Sequence, residues 1–248
     1  MKIIIPMAGF GTRFGQKDTI KPFIDVLGKP MIFWAVTKSF PQVKVEDFVF
    51  IILKEHQTKY QVKEKLRQLF GSKIKVVIIP RPTRGAAETA LAAKISVDPQ
   101  EEIIIADSDQ FIDSNPLFKA IKHKKADASG ITLVDRPIDK TNKYSYALAD
   151  NHNLALAVAE KDPVLAAQGA YANTGAYYFS KAKIFFQAIE TMIKNNNLSG
   201  PTDRQEFFVA PVYQQLINEG KKVYVALGSG AWRLGTPEDL SYFLSHYR

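Results

Sequence analysis

Lys2-Ile3-Ile4-Ile5-Pro6-Met7-Ala8-Gly9-Phe10-Gly11-Thr12-Arg13-Phe14-Gly15 is the stretch that decides the fold of this chain. Its first half is an unbroken apolar run rich in β-branched residues, which predicts a strand buried on both faces. The run opens directly into a loop carrying Gly9, Gly11 and Gly15. Glycine lets a backbone come close to an anion and turn its N–H groups toward it. A buried strand that ends in such a loop is how an open α/β sheet begins, and such sheets bind ligands beyond the carboxyl ends of their strands.

Working outward, the same apolar signature recurs at Phe48–Leu53, Lys73–Ile79 and Glu102–Ala106. Helical patterns fill the gaps near Pro30–Phe40, His56–Phe70 and Ala86–Ile95. This alternation predicts an α/β fold, a mostly parallel Rossmann-like sheet flanked by helices. A further helix over Pro116–Lys125 leads to a strand at Ala128–Val134. Beyond Val134 the rhythm changes. Tyr146–Ala149 and Leu154–Glu160 flank the turn-rich Asp150-Asn151-His152-Asn153 and predict a hairpin. A strand follows at Ala172–Phe179, helices at Lys181–Lys194 and about Gln205–Glu219, and a strand at Lys222–Leu227. Thr236-Pro237-Glu238-Asp239 has the N-cap, first-turn proline and acids that start a helix. No repeat or linker divides the chain, so residues 1–248 are expected to form one domain with a small β-rich second part.

Composition narrows the chemistry. The 248 residues contain no cysteine, which excludes a disulfide framework, a thiolate metal site and a cysteine nucleophile. No run of about 18 apolar residues predicts a membrane span, and the N-terminal apolar run is too short for a signal core. A cytoplasmic protein that touches no membrane is expected. The formal charge of +8, from 33 Lys and Arg against 25 Asp and Glu, favours anionic partners. The dense basic cluster Lys122-His123-Lys124-Lys125 closes a predicted helix, where it complements the helix dipole. No basic stretch interleaves with aromatics, so no nucleic-acid surface is expected. The histidines, His56, His123, His152 and His246, show no ligand spacing.

Three glycine-loop types compete for Gly9–Gly15. The dinucleotide fingerprint needs a third glycine where Phe14 stands, and an acid about 20 residues on. A Walker A loop needs Gly-Lys-Ser/Thr, but Gly28-Lys29 runs into Pro30. What remains is Ala-Gly-x-Gly-Thr-Arg-Phe, then Lys21-Pro22-Phe23 and Val26-x-Gly28-Lys29-Pro30-Met31. Together these segments resemble the signature of the sugar-phosphate nucleotidyltransferases, the pyrophosphorylases, with their GT-A-like sheet. The resemblance implies that Ala8, Gly9, Gly11, Thr12 and Arg13 wrap a nucleoside triphosphate. It also implies that Arg13 and Lys21 offset its charge.

The strand ending at Ala106 leads into Asp107-Ser108-Asp109-Gln110, and carboxylates in that place are suited to holding Mg²⁺ against phosphates. Aligned on the Gly-Asp-Asn or Gly-Asp-His of the family, Asp109 is the implied metal ligand, and Asp107 precedes it on the nucleotide side. The family's second ligand is the Asp of a Trp-x-Asp-x-Gly-Thr-Pro-type segment. Here Trp232-Arg233-Leu234-Gly235-Thr236-Pro237 puts Arg233 at that point. An arginine has only donors and cannot ligate a metal. Either another carboxylate completes the shell, with Asp203 and Glu206 as candidates, or Arg233 contacts phosphate.

The Gly85-Ala86-Ala87 segment resembles the family's approach to the nucleobase, with Gly85 as the base-pocket residue. On the acceptor side, Glu160-Lys161 resembles a Glu-Lys-Pro element, with Asp162 in place of Pro. Thr174-Gly175-Ala176-Tyr177 resembles a strand lining the same pocket. Tyr144-Ser145-Tyr146-Ala147 stands where a Tyr-Gly segment is usual, with Ala147 in place of Gly. Tyr146, Glu160, Lys161, Thr174, Gly175 and Arg233 are thus the implied acceptor residues. Gln205–Tyr213 resembles a motif of a capsule- and surface-polysaccharide-associated branch.

The resemblance implies a nucleotide-binding half over about 1–134 and an acceptor-binding half over 135–248. Its chemistry is Mg²⁺-dependent in-line attack of an acceptor phosphate on the α-phosphorus, with Arg13, Lys21 and Asp109 as the catalytic set. A sugar 1-phosphate is the implied acceptor. The altered Ala147, Asp162 and Arg233 keep open a small non-sugar phosphorylated or phosphonate acceptor activated as a CDP derivative. A non-catalytic nucleotide-binding subunit is a third reading. A homo-oligomer is compatible with the chain, which marks no interface.

Overall fold

The computed structural model describes residues 1–248 apart from 12–13, 16–18, 138–142, 203–204 and 248. The chain opens with β1 (Lys2–Pro6), a two-rung hairpin of β2 (Asp25–Val26) and β3 (Lys29–Pro30), and α1 (Met31–Phe33), which passes into a wider π turn over Trp34–Lys38. It continues through β4 (Phe48–Leu53), α2 (Lys54–Tyr60), α3 (Val62–Phe70), β5 (Lys75–Ile79), α4 (Ala86–Leu91) and β6 (Ile103–Ala106). Next come β7 (Gln110–Ile112), α5 (Asn115–Lys122), β8 (Ala128–Asp135), β9 (Ser145–Ala149), β10 (Ala155–Glu160) and α6 (Pro163–Ala167). The last part comprises β11 (Tyr171–Phe179), α7 (Ala182–Lys194), α8 (Pro211–Asn218), β12 (Lys222–Leu227), β13 (Ala231–Arg233) and α9 (Pro237–His246).

The main sheet runs β10-β9-β11-β6-β1-β4-β5, with β8 beside β11 and β12 beside β8. Its nucleus is the parallel set β6-β1-β4-β5. Period-two alternation divides the apolar runs between two layers. Ile4, Val49, Ile51, Ile103 and Ile105 pack with Ala87 and Ala90 of α4, Phe185 and Ile189 of α7, and Leu216 of α8. Ile3, Ile5, Phe50, Ile52 and Ile104 pack against Leu66 and Phe70 of α3 and Leu117 and Ile121 of α5. Both faces are therefore buried, which is why these strands read as unbroken apolar runs. The mostly parallel, helix-flanked sheet is as expected.

Four departures have local causes. The helix expected over His56–Phe70 is two helices, because Gln61 takes a left-handed conformation (φ 52°) between them. The helix expected from Gln205 starts at Pro211 instead. Upstream of it, Phe207 donates its N–H to Arg84 and accepts from Ala87. The short α6 was not expected; Asp162 caps it by accepting from the N–H groups of Val164 and Leu165, and Pro163 occupies its first turn. A two-stranded ribbon of β7 and β13, with Arg233 opposite Gln110, was equally unforeseen, since three-residue strands carry too few residues to show a period.

β11 shapes the site. From Ala176 to Phe179 it pairs with β6, whereas Tyr171 and Ala172 pair with β9. The register with β8 shifts between Asn173 and Tyr177, where Gly175 adopts φ 81°. Because β11 moves from one neighbour to the other there, the sheet opens just beyond the carboxyl end of β6.

Candidate active site

β1 ends where the Met7 N–H bonds Ile51, and Ala8 to Gly11 then line a cleft of about 560 Å³. Gly11 has φ 63°, and a Cβ there would stand 2.7 Å from the Lys21 Cβ, so only glycine lets the loop close on Lys21. The opposite wall is Pro82 to Ala86. Gly85 (φ 147°) is pressed on the backbone of Phe207, which a Cβ would meet at 2.5 Å. Its carbonyl accepts from Thr83 Oγ1 and from both the N–H and Oγ1 of Thr89, so the loop is rigid before any ligand arrives. Phe208 and Glu206, on the segment that zips onto this loop, also line the cleft.

A second cleft, of about 460 Å³, lies on the far side of Asp107 and Asp109 and is lined among others by Tyr144, Ser145, Glu160, Lys161, Tyr177 and Arg233. Asp107, Asp109, Ala86, Phe208 and Gly235 face both clefts. The carboxylates are anchored. Asp107 donates its N–H to the Gly175 carbonyl, and the Gln110 side-chain amide donates to Asp107 Oδ2 at 3.2 Å. Lys21 Nζ lies 2.5 Å from Asp109 Oδ2, and the Leu234 N–H bonds the Asp109 carbonyl.

Electrostatics separate the acids. Burial, then the neighbouring Asp109 charge, pushes the Asp107 carboxyl up to about 8, against the pull of Lys21. Burial also lifts Glu160 to about 7, opposed chiefly by Lys161 and a hydrogen bond from Ser145. Tyr177 is raised well above the usual phenol range by burial and by the charges of Asp107 and Glu160. Tyr177 lines the second cleft with these acids. Asp107 and Asp109 suit a hard divalent cation: Mg²⁺ is usually held by one or two carboxylates, with waters and substrate phosphates filling the rest. Among the described residues no third Asp, Glu or His groups with them.

Residues 2–247 match the family model described as nucleotidyl transferase. The chain belongs to the nucleotidyl transferase family. It is 26% identical over 199 residues to a mannose-1-phosphate guanylyltransferase of Sinorhizobium fredii, an alignment covering 74% of this chain but 38% of that protein. Its fold is shared with a nucleoside-diphosphate-sugar pyrophosphorylase of Vibrio cholerae (TM-score 0.78, 24% identity, 98% of this chain and 100% of the other). The inositol-1-phosphate CTP transferase of T. maritima is also similar (TM-score 0.75, 17% identity, 99% and 96%).

In this chain, Ala8, Gly9, Gly11, Lys21, Gly85, Asp107, Asp109, Glu160, Lys161 and Arg233 line one or both clefts. Thr12, Arg13 and Asp203 lie outside the described residues. Glu206 lines the first cleft, where its charge raises Glu160 rather than joining the aspartate pair. Three acceptor expectations need correction. Tyr146 is fully buried against Leu165 and Ala172, because alternation along β9 turns it from the face that Ser145 presents. Thr174 is also buried, its hydroxyl donating to the Leu133 carbonyl. Gly175 contributes space, since a Cβ there would stand 2.5 Å from Asp107 Oδ2. Tyr144, Ser145, Asn173, Tyr177, Gln110 and Phe208 line the clefts in addition. Ser145 and Asn173 follow from alternation once register is known. Phe208 carried no such signal, since its segment looked helical.

The three departures from the family pattern also part company. Ala147 is buried inside β9 and lines neither cleft, and Asp162 is the cap of α6. Only Arg233 faces the second cleft.

Proposed function

We propose that this chain joins a nucleoside triphosphate to a sugar 1-phosphate, giving a nucleotide-sugar and pyrophosphate. The observation that carries this reading is the position of Asp107 and Asp109, with Lys21, on the partition between two clefts. One cleft has a glycine loop and a pinned base-side loop, as a nucleotide needs. The other offers Glu160 and Tyr177 to hydroxyls and Lys161 to a phosphate. Residues of about 1–134 supply most of the first cleft, with Gln205, Glu206, Phe208 and Gly235 added from the second half, and residues 135–248 supply most of the second cleft.

Transfer at phosphorus depends mainly on positioning and on neutralising phosphate charge. Ala8 to Gly11 bring main-chain amides to the triphosphate, and Lys21 balances its charge, joined by Arg13 as the family resemblance implies. Asp107 and Asp109 would hold Mg²⁺, which neutralises phosphate oxygens when bound. Entry of a triphosphate offers Lys21 a second anionic partner beside Asp109. Lys161 and Glu160 orient the acceptor so that its phosphate oxygen meets the α-phosphorus in line. That oxygen is already anionic at neutral pH, so no general base is required, which agrees with the histidines standing outside both clefts. A cytoplasmic location fits charged substrates of this kind; among the described residues no helix is long and apolar enough to cross a membrane.

Pyrophosphate release over a panel of nucleoside triphosphates and sugar 1-phosphates, with product mass, tests this reading. Turnover should require Mg²⁺ and fall by at least about a hundredfold in K21A and D109A while the fold persists. Near-normal release from both variants would sink it. The alternative, a small non-sugar acceptor, now rests on Arg233 alone, because Ala147 and Asp162 lie away from the cleft.

A further inference from the structure

Arg233 is held in an unusual way for a residue lining a substrate cleft. Its guanidinium carbon sits 4.3 Å from the centre of the Tyr144 ring, and Nη2 lies 3.2 Å from Asp135 Oδ1. Stacking fixes the plane of a guanidinium without consuming its N–H donors, and arginine has five of them. Asp135 takes up only one of these donors, through Oδ1. Its other oxygen accepts the Ala231 N–H, and burial pushes its carboxyl above the ordinary range despite the neighbouring arginine.

Two more cations share this cleft. Lys143 Nζ lies 5.1 Å from the same Tyr144 ring, and Lys161 Nζ lies 5.5 Å from the Phe208 ring. Lys161 is placed there by a left-handed backbone (φ 53°), a conformation that side-chain-bearing residues take at some cost, while its N–H bonds the Tyr144 carbonyl. The aromatic faces of Tyr144 and Phe208 are thus already covered by the protein's own cations, which argues against a cage for a cationic ligand group. The carboxylates Glu160 and Asp107 and the guanidinium of Arg233 line the same cleft as Tyr177. Both signs of charge therefore face the ligand space.

We infer that the acceptor carries a second anionic group, a carboxylate or its equivalent, which docks on Arg233 while the reacting phosphate lies toward Lys161 and the aspartates. A phosphate next to the transfer centre can be served by Lys161, Lys21 and a divalent cation. Arg233 is then left to a different anion, and its fork matches a carboxylate with two parallel N–H donors. The substrate class is an acidic phosphorylated metabolite, such as a uronic acid 1-phosphate or a phosphorylated hydroxy acid. This inference rests on the second cleft being the acceptor site.

Matched ligands test it without knowledge of the natural acceptor. Glucuronic acid 1-phosphate differs from glucose 1-phosphate, and 3-phosphoglycerate from glycerol 3-phosphate, by a carboxylate in place of a hydroxymethyl group. Binding is measured by calorimetry on the wild-type protein and R233Q, with Mg²⁺ and a non-hydrolysable nucleoside triphosphate present. In at least one pair the acidic member should bind about tenfold more tightly or better, and R233Q should abolish that preference within the pair. Equal affinities within both pairs, a preference for the neutral members, no measurable binding of any of the four, or a preference that survives in R233Q would overturn the inference. The transfer reading fails separately, through absence of pyrophosphate release from any triphosphate and acceptor. Y144F, which keeps the ring, should retain the preference and Y144A weaken it.

Discussion

Lys21 reaches Asp109 across 88 positions of sequence, with 2.5 Å between Nζ and Oδ2 and about a fifth of each side chain exposed. A half-open pair of this kind contributes little to folding, on the order of 1 kcal/mol or less. Its value lies in poise, because a triphosphate and a divalent cation offer each partner a replacement. K21A and D109A should each lower kcat by about a hundredfold to a thousandfold, the scale of one charge-stabilising group. Thermal denaturation should shift by only a few degrees. Because the two residues act as a unit, the double variant should lose far less than the product of the single losses. A fully multiplicative loss would show that they act independently.

The pH dependence of the ligand-free protein follows from Asp107. Its folded carboxyl is raised to about 8 from a usual value of 3.8. Between those values the folded protein retains a proton that the unfolded chain has released. Stability therefore falls as pH rises through that window, and is fullest below the unfolded value. Glu160, raised to about 7, adds in the same direction. Mg²⁺ should expel the Asp107 proton. Calorimetry in buffers of different ionisation enthalpy should then show proton release on metal binding near neutral pH, and the metal should raise the melting temperature more at about pH 8.5 than at about pH 6. D107N should flatten the ligand-free stability profile between the two values and abolish the proton release. A profile unchanged by D107N would place the titration elsewhere.

Two glycines near the site should respond differently to alanine. At Gly175 (φ 81°) the new Cβ would meet the Asp107 carboxylate, a side chain that can turn away. G175A should cost about 1–3 kcal/mol for the backbone conformation. It should also lower turnover by about tenfold or more, because Asp107 is displaced. At Gly85 the Cβ meets the Phe207 N, C and O, all within 2.8 Å, and backbone held by two hydrogen bonds cannot move aside cheaply. G85A should therefore be the more destabilising by melting temperature. The reverse order would mean that the Phe207 segment yields more easily than the aspartate.

What could be read without a structure was whatever strand periodicity or local chemistry carries. Ile3–Ile5, Phe48–Leu53 and Ile103–Ala106 declared their double burial through composition, and the glycine loop with Lys21 and Asp109 declared its residue types. Residues whose roles depend on register were not legible. Tyr146 and Ser145 exchange faces with a shift of one position, and nothing local says which face meets the cleft. The Phe207–Phe208 segment looked helical because helix α8 follows it, whereas its backbone is committed to Arg84 and Ala87 more than a hundred residues earlier. Arg233 was visible as a departure, but its pairing with Asp135 and stacking on Tyr144 are long-range facts.

Glu160 offers the clearest kinetic test of the acceptor cleft. Burial raises its carboxyl to about 7, with Lys161 and Ser145 pulling it down and Glu206 pushing it up. An ionised carboxylate accepts hydrogen bonds from acceptor hydroxyls with all its lone pairs, whereas the protonated acid gives up part of that capacity. With the triphosphate saturating, kcat/KM for a hydroxylated acceptor should rise with pH and level off above about 7. E160Q keeps the size of the side chain but cannot ionise, so it should raise the acceptor KM by about tenfold and remove the rising limb. The KM for the triphosphate should change little, because Glu160 lines only the second of the two clefts. A limb that persists in E160Q would assign the titration to a group other than Glu160, with Asp107 the first candidate, and an equal rise in both KM values would mean that the variant disturbs the partition between the clefts.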